Sequence, residues 1–104
     1  MTYADLLKES AQRKSKAMRD LNHGMNDPQL GFLVRDEIRR SPGSVAWLWL
    51  GLPFCRTLAE HWDEIWPSAD ESERDDMCRI YMAYEDSDPN IYDLLPVEAQ
   101  LFTE

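Results

Sequence analysis

Hydrophobic residues recur along most of this chain at the spacing of a helix. Leu7, Ala11, Met18 and Leu21 lie on one stripe, interrupted by Lys14, and predict an amphipathic helix over Tyr3–His23. Thr2 followed by Asp5 has the pattern of a capping box at its start. Gly24 followed by Met25 suits a left-handed C-cap with its apolar contact. Leu30, Leu33, Val34 and Ile38 repeat the spacing and predict a second helix from Asp27 to about Arg40, with Asp27 as N-cap and Pro28 in the first turn. Ser41–Ser44 then reads as a break or a further N-cap.

Val45–Leu50 is an unbroken apolar run that periodicity alone cannot assign. No second strand pattern exists to pair with it, so a short helix is expected, broken by Gly51-Leu52-Pro53. Trp47 and Trp49 then point about 200° apart and need apolar neighbours on both sides. Phe54, Leu58, Trp62 and Ile65 predict a helix over about Pro53–Trp66, stopped by Pro67. Ser68 with Glu71 gives a second capping-box pattern, and Met77, Ile80, Tyr81 and Tyr84 predict a helix over about Ala69–Tyr84. A polar loop follows, with Asp88 as the next N-cap, then short helical pieces near Asn90–Leu95 and Pro96–Phe102. The expected fold is all-α: one compact domain over residues 1–104, a bundle of about five or six short helices.

Composition fits a folded chain, with 43% hydrophobic and 30% charged residues among 104. Charge is distributed unevenly. Residues 1–40 hold eight basic and six acidic side chains (net +2), whereas residues 41–104 hold three arginines and fourteen acids (net −11). The chain is mildly basic at its start and strongly acidic after it. No apolar run approaches the roughly 20 residues that span a bilayer, and the first residues lack signal-peptide architecture, so a cytoplasmic protein is expected.

Candidate chemistry is sparse. Cys55, Cys78, His23 and His61 show no paired spacing of a metal site, and His61 with Glu64 is a single i,i+3 pair, so neither metal nor cofactor is expected. Cys55 lies near a predicted helix start beside Arg56, but has no partnering base in sequence. The four glycines, at 24, 31, 43 and 51, form no phosphate-binding loop. The chain therefore reads as a non-enzyme. Lys8, Arg13, Lys14, Lys16 and Arg19 form a basic cluster, yet the overall charge of -9 opposes direct nucleic-acid binding.

The acidic half is the strongest signal. Asp70, Glu71 and Glu73 suit the start of the 69–84 helix, and Asp75 and Asp76 can pair with Arg79. Asp63, Glu64, Glu85 and Asp86 fall at predicted helix ends, where the dipole disfavours anions. Glu60 and Glu64 repel each other at i,i+4. An external basic surface would supply the missing countercharge. The expected partner-binding residues are therefore Glu60, Asp63, Glu64, Asp75, Asp76, Glu85 and Asp86, with Trp47 and Trp49 as anchors.

Helical carboxylates at i,i+3 and i,i+4 stand about 5–6 Å apart, close to the spacing of phosphates along a strand. In size, charge and helicity the chain resembles the small acidic anti-defence proteins of phages, the DNA mimics and anti-CRISPR proteins; the resemblance covers no motif and carries no residue role. It implies an inhibitor that occludes the basic, nucleic-acid-binding surface of a larger protein complex. The neutral-to-basic residues 1–40 imply one acidic face rather than acidity throughout. Two other readings are a homodimeric adaptor or small chaperone with an apolar seam at Val45–Leu50, and a small enzyme or metal protein using His61 with nearby carboxylates.

Overall fold

A computed structural model describes residues 1–26 and 46–101, with side chains at 1–22 and 46–101. The predicted helix from Asp27, the Ser41–Ser44 break and Val45 lie outside the described residues. Every element among the described residues is helical: the fold is all-α. None of the helices described is long and apolar enough to cross a membrane.

Helix α1 spans Tyr3–Asn26. Its capping box forms as the sequence predicts: the Thr2 amide donates to Asp5 Oδ2 (2.9 Å) and the Asp5 amide to Thr2 Oγ1 (3.1 Å). The helix runs through Gly24 instead of ending there. Its buried stripe also differs. Tyr3, Leu6, Ser10, Ala17 and Leu21 face inward, whereas Leu7 and Ala11 are partly exposed and Met18 is exposed. The two stripes share Leu21 and the same period. The inward one contains the small residues Ser10 and Ala17, which carry little weight in a hydrophobic pattern.

Trp47–Gly51 forms a π turn, closed by the Leu52 amide donating to Trp47 O. The expected break at Gly51-Leu52-Pro53 does not occur. Gly51 has helical dihedrals (φ −64°, ψ −50°), and the chain passes directly into α2, Leu52–Glu60. Pro53 sits where the hydrogen-bonding register changes from i→i+5 to i→i+4, so its missing N–H is tolerated there. Chain direction changes at His61 (φ −106°, ψ 18°), which splits the predicted Pro53–Trp66 helix. Helix α3 (Trp62–Ile65) and a 3₁₀ turn (Trp66–Ser68) follow.

Helix α4 spans Glu71–Glu85, but its cap is Asp70, not Ser68. The Glu73 amide donates to Asp70 Oδ1 (2.8 Å) and the Asp70 amide to Glu73 Oε1 (3.0 Å), a complete capping box. Ser68 is used by the preceding turn, where its hydroxyl donates to Ile65 O (3.0 Å). The chain then runs extended through Ala69 and Asp70, which moves the cap two residues on. After α4, Asp88 Oδ1 accepts from the Asn90 amide (2.8 Å), and α5 spans Ile91–Leu94. A last 3₁₀ turn, Val97–Ala99, packs along α1.

Two apolar clusters hold these elements. The larger joins Tyr3 and Leu6 of α1 to Phe54 and Leu58 of α2, Ile65 of α3, and Met77 and Ile80 of α4. The smaller joins Ala17 and Leu21 to Ala46, Leu50 and Leu101. Trp47 packs against the first and Trp49 against the second, as their opposed directions require.

Candidate functional site

Helix α4 sorts its side chains by period. Met77, Ile80 and Ala83 are buried, while Asp75, Asp76, Arg79, Met82, Glu85 and Asp86 are exposed at i,i+3 and i,i+4 intervals. This outward stripe extends about 15 Å from Asp76 to Asp86, at about 1.5 Å per residue. Arg79 is engaged: it bridges Asp75 at 2.6 Å, as the sequence predicts. Met82 is 63% exposed, with Glu85 and Asp86 one turn further on. The sequence pattern points to Trp47 and Trp49 as anchors and not to Met82. Both tryptophans are half-buried against core, with Leu48 exposed between them. The signal for Met82 was its place on the side of the stripe opposite Ile80 and Ala83.

The predicted carboxylates fall into different circumstances. The break at His61 places Asp63 and Glu64 in the first turn of α3, not in the last turn of a longer helix. At that position the helix dipole does not disfavour this pair, contrary to the sequence expectation. Glu64 is moreover bridged by the Met1 amino group and by His61 Nδ1, the latter at 3.0 Å. Those two hydrogen bonds, the Met1 one foremost, hold its carboxyl below the usual carboxylate range. Glu85 and Asp86 do lie at the C-terminal end of α4, the negative end of the dipole. Glu85 accepts a hydrogen bond from the Tyr81 hydroxyl, and this bond is the main cause that raises the Tyr81 pKa. The carboxylates of Glu60, Asp63, Asp76 and Asp86 make no ion pair or hydrogen bond among the described residues.

Carboxylates also gather around the start of α1. Tyr3 is buried, which pushes its hydroxyl up to about 12, and Asp76, Glu73 and Glu98 push the same way. Along the flank of α4, Arg74 lies 4.9 Å over the Trp66 ring and donates to Trp66 O (3.0 Å). Trp66 stacks on Trp62 at 5.2 Å, and Trp62 meets Tyr81 at 5.1 Å. This row of rings fixes α3 against α4 and so fixes the acidic stripe. The basic cluster of α1 is partly occupied: Arg13 reaches Glu9 at 3.6 Å, and Lys14 Nζ donates to Val97 O at 3.1 Å.

The chemistry expected of an activated cysteine is reversed at Cys55, where burial pushes the thiol up to about 12. Among the described residues no three His, Cys, Asp or Glu side chains are grouped to hold a metal ion. A cleft of about 610 Å³ lies at the turn between α4 and α5, lined by Trp47, Leu52, Tyr84, Asp88, Pro89 and Tyr92 among others; a second, shallower one of about 730 Å³ lies between α1 and the last 3₁₀ turn. Compared with family models, curated proteins and solved structures, the chain matches none.

Proposed function

We propose that this protein is a non-enzymatic interaction module whose acidic surface, centred on the outward stripe of α4, docks on and occludes a basic surface of a larger protein. The surface it covers is one that otherwise meets nucleic-acid phosphates. One observation carries the reading: Met82, 63% exposed, stands beside Glu85 and Asp86, while the stripe's one arginine is already closed onto Asp75. An exposed apolar side chain beside carboxylates suits a specific protein contact, with Met82 supplying buried area and the acids supplying orientation and fast association. A pure phosphate imitation needs no such side chain.

The mechanism is steric and electrostatic, with no bond made or broken. Lysine and arginine side chains of the partner exchange phosphates for carboxylates spaced about 5–6 Å apart on a rigid helix. The test is capture of partners from a bacterial lysate by the wild type and by a Met82→Glu, Asp86→Lys variant, at low and physiological salt. A protein retained by the wild type, weakened by salt and lost with the variant supports the reading. Equal retention by both forms would overturn it.

A further inference from the structure

The cleft beyond the end of α4 has a composition that points to a ligand. Trp47, Tyr84 and Tyr92 contribute aromatic rings, Leu52 and Pro89 apolar surface, and Asp88 a carboxylate. Among the described residues no lysine, arginine or histidine lines it. Tyr84 belongs to the last turn of α4, so the negative end of that helix dipole borders the space. The turn is tightly built: the Asp88 amide donates to Ala83 O (2.9 Å), and Ser87 adopts a left-handed conformation (φ 53°). Asp88 Oδ1 accepts from the Asn90 amide, and Oδ2 has no hydrogen bond among the described residues.

Electron-rich ring faces, one carboxylate and a helix C-terminus all favour a cation, and none of the described lining residues repels one. We infer that the cleft is a socket for an arginine side chain presented by the basic partner. The planar guanidinium stacks on aromatic rings and takes a carboxylate at its edge, which the compact ammonium of lysine does less well. A volume of about 610 Å³ holds that side chain together with the backbone that carries it. Asp88 follows Asp86 by two residues, so the socket continues the acidic stripe. The inference rests on the proposed function for the source of the arginine, but not for the chemistry of the cleft.

The test uses N-acetyl-arginine amide, with N-acetyl-citrulline amide as its uncharged counterpart, followed by NMR on the full chain. Arginine amide shifts the Trp47 indole N–H and the Ser87 and Asp88 amides saturably, and leaves the Trp49 indole unmoved. Asp88→Asn retains the acceptor for the Asn90 amide but removes the charge, and weakens binding about tenfold. Tyr84→Leu removes a ring on a half-buried site and weakens it as well. Equal shifts with the citrulline amide, or unchanged binding by Asp88→Asn, would overturn the socket. Arginine binding in the cleft with no effect of the Met82→Glu, Asp86→Lys variant on partner capture would overturn the α4 reading alone. Loss of capture with that variant, beside an Asp88→Asn form that captures normally, would overturn the socket alone.

Discussion

The Trp47 indole lies directly against the backbone of Gly51: a Cβ on Gly51 would stand 2.6 Å from Trp47 Cε3 and 3.1 Å from Leu95 Cδ1. Gly51 has ordinary helical dihedrals, so it is the close approach of the ring, not a turn, that excludes a side chain. Gly51 therefore sets the position of Trp47 on the core and at the cleft.

Replacing Gly51 by alanine introduces overpacking of about 1–3 kcal/mol, against a gain of about 0.5–1 kcal/mol in helix propensity. The expected net loss is about 1–2 kcal/mol, seen as a lower urea midpoint. The Trp47 indole resonance moves with it and the Trp49 resonance does not. A more stable variant would contradict the packing described.

The two candidate caps of α4 give a second prediction. Asp70→Ala removes the side-chain acceptor of the Glu73 amide, and costs about 1 kcal/mol. Ser68→Ala removes an exposed hydroxyl from a 3₁₀ turn and stays within about 0.5 kcal/mol. Denaturation of the two variants in parallel ranks them; the reverse order would contradict the observed cap.

That shift of the cap shows where the sequence was legible. Helical periodicity identified the helices on either side of residues 61–70 and most of their buried faces, because Phe54, Leu58, Met77 and Ile80 are large and regularly spaced. The junctions were not legible. The break at His61 and the 3₁₀ turn that consumes Ser68 are settled by tertiary packing of Trp62 and Trp66 on α4. The π turn at Trp47–Gly51 is likewise invisible to a count of apolar residues. The acidity of the candidate surface could be read directly from residue types. The neutralisation of Glu64 could not, because Met1 is 63 residues away in sequence.

The cysteines separate by burial. Cys55 is buried with its thiol pushed up to about 12 from 9.0, and Cys78 is partly exposed. Below both values, a rise of this size cuts the thiolate fraction on the order of a thousandfold. Iodoacetamide on the folded protein at mildly alkaline pH, read by mass spectrometry, labels Cys78 and spares Cys55. Preferential labelling of Cys55 would contradict its burial.

Acid weakens the fold through Glu64 and Asp5. Both carboxyls are held below their ordinary values of 4.5 and 3.8, Glu64 mainly by the Met1 amino group and Asp5 mainly by the Thr2 amide. A lowered folded value gives a contribution that is complete above the ordinary value and disappears as pH falls through the folded one. The gap in urea midpoint between the wild type and Glu64→Gln is therefore constant at neutral pH and closes below about pH 4.5. A gap that widens with acid would contradict the assignment.

The alkaline limit has the opposite sign. Tyr3 is raised from 10.0 to about 12 by burial and by the surrounding carboxylates. Its neutral form is favoured in the fold, so its contribution is complete below about 10 and fades as pH rises toward 12. Tyrosinate absorbance at 295 nm or so, recorded against pH, shows a late phase that Tyr3→Phe diminishes; an unchanged late phase in that variant would contradict the assignment.

The acidic face of α4 is tested most directly by partner retention at low and at physiological salt, comparing the wild type with an Asp76→Lys, Asp86→Lys variant. Both side chains are exposed and their carboxylates are unbonded among the described residues, so circular dichroism should show an unchanged helix content. Retention by the wild type is expected to fall as the Debye length shortens to about 8 Å, and the variant is expected to retain nothing at either salt. A variant that retains the same partner, with no dependence on salt, would contradict the account.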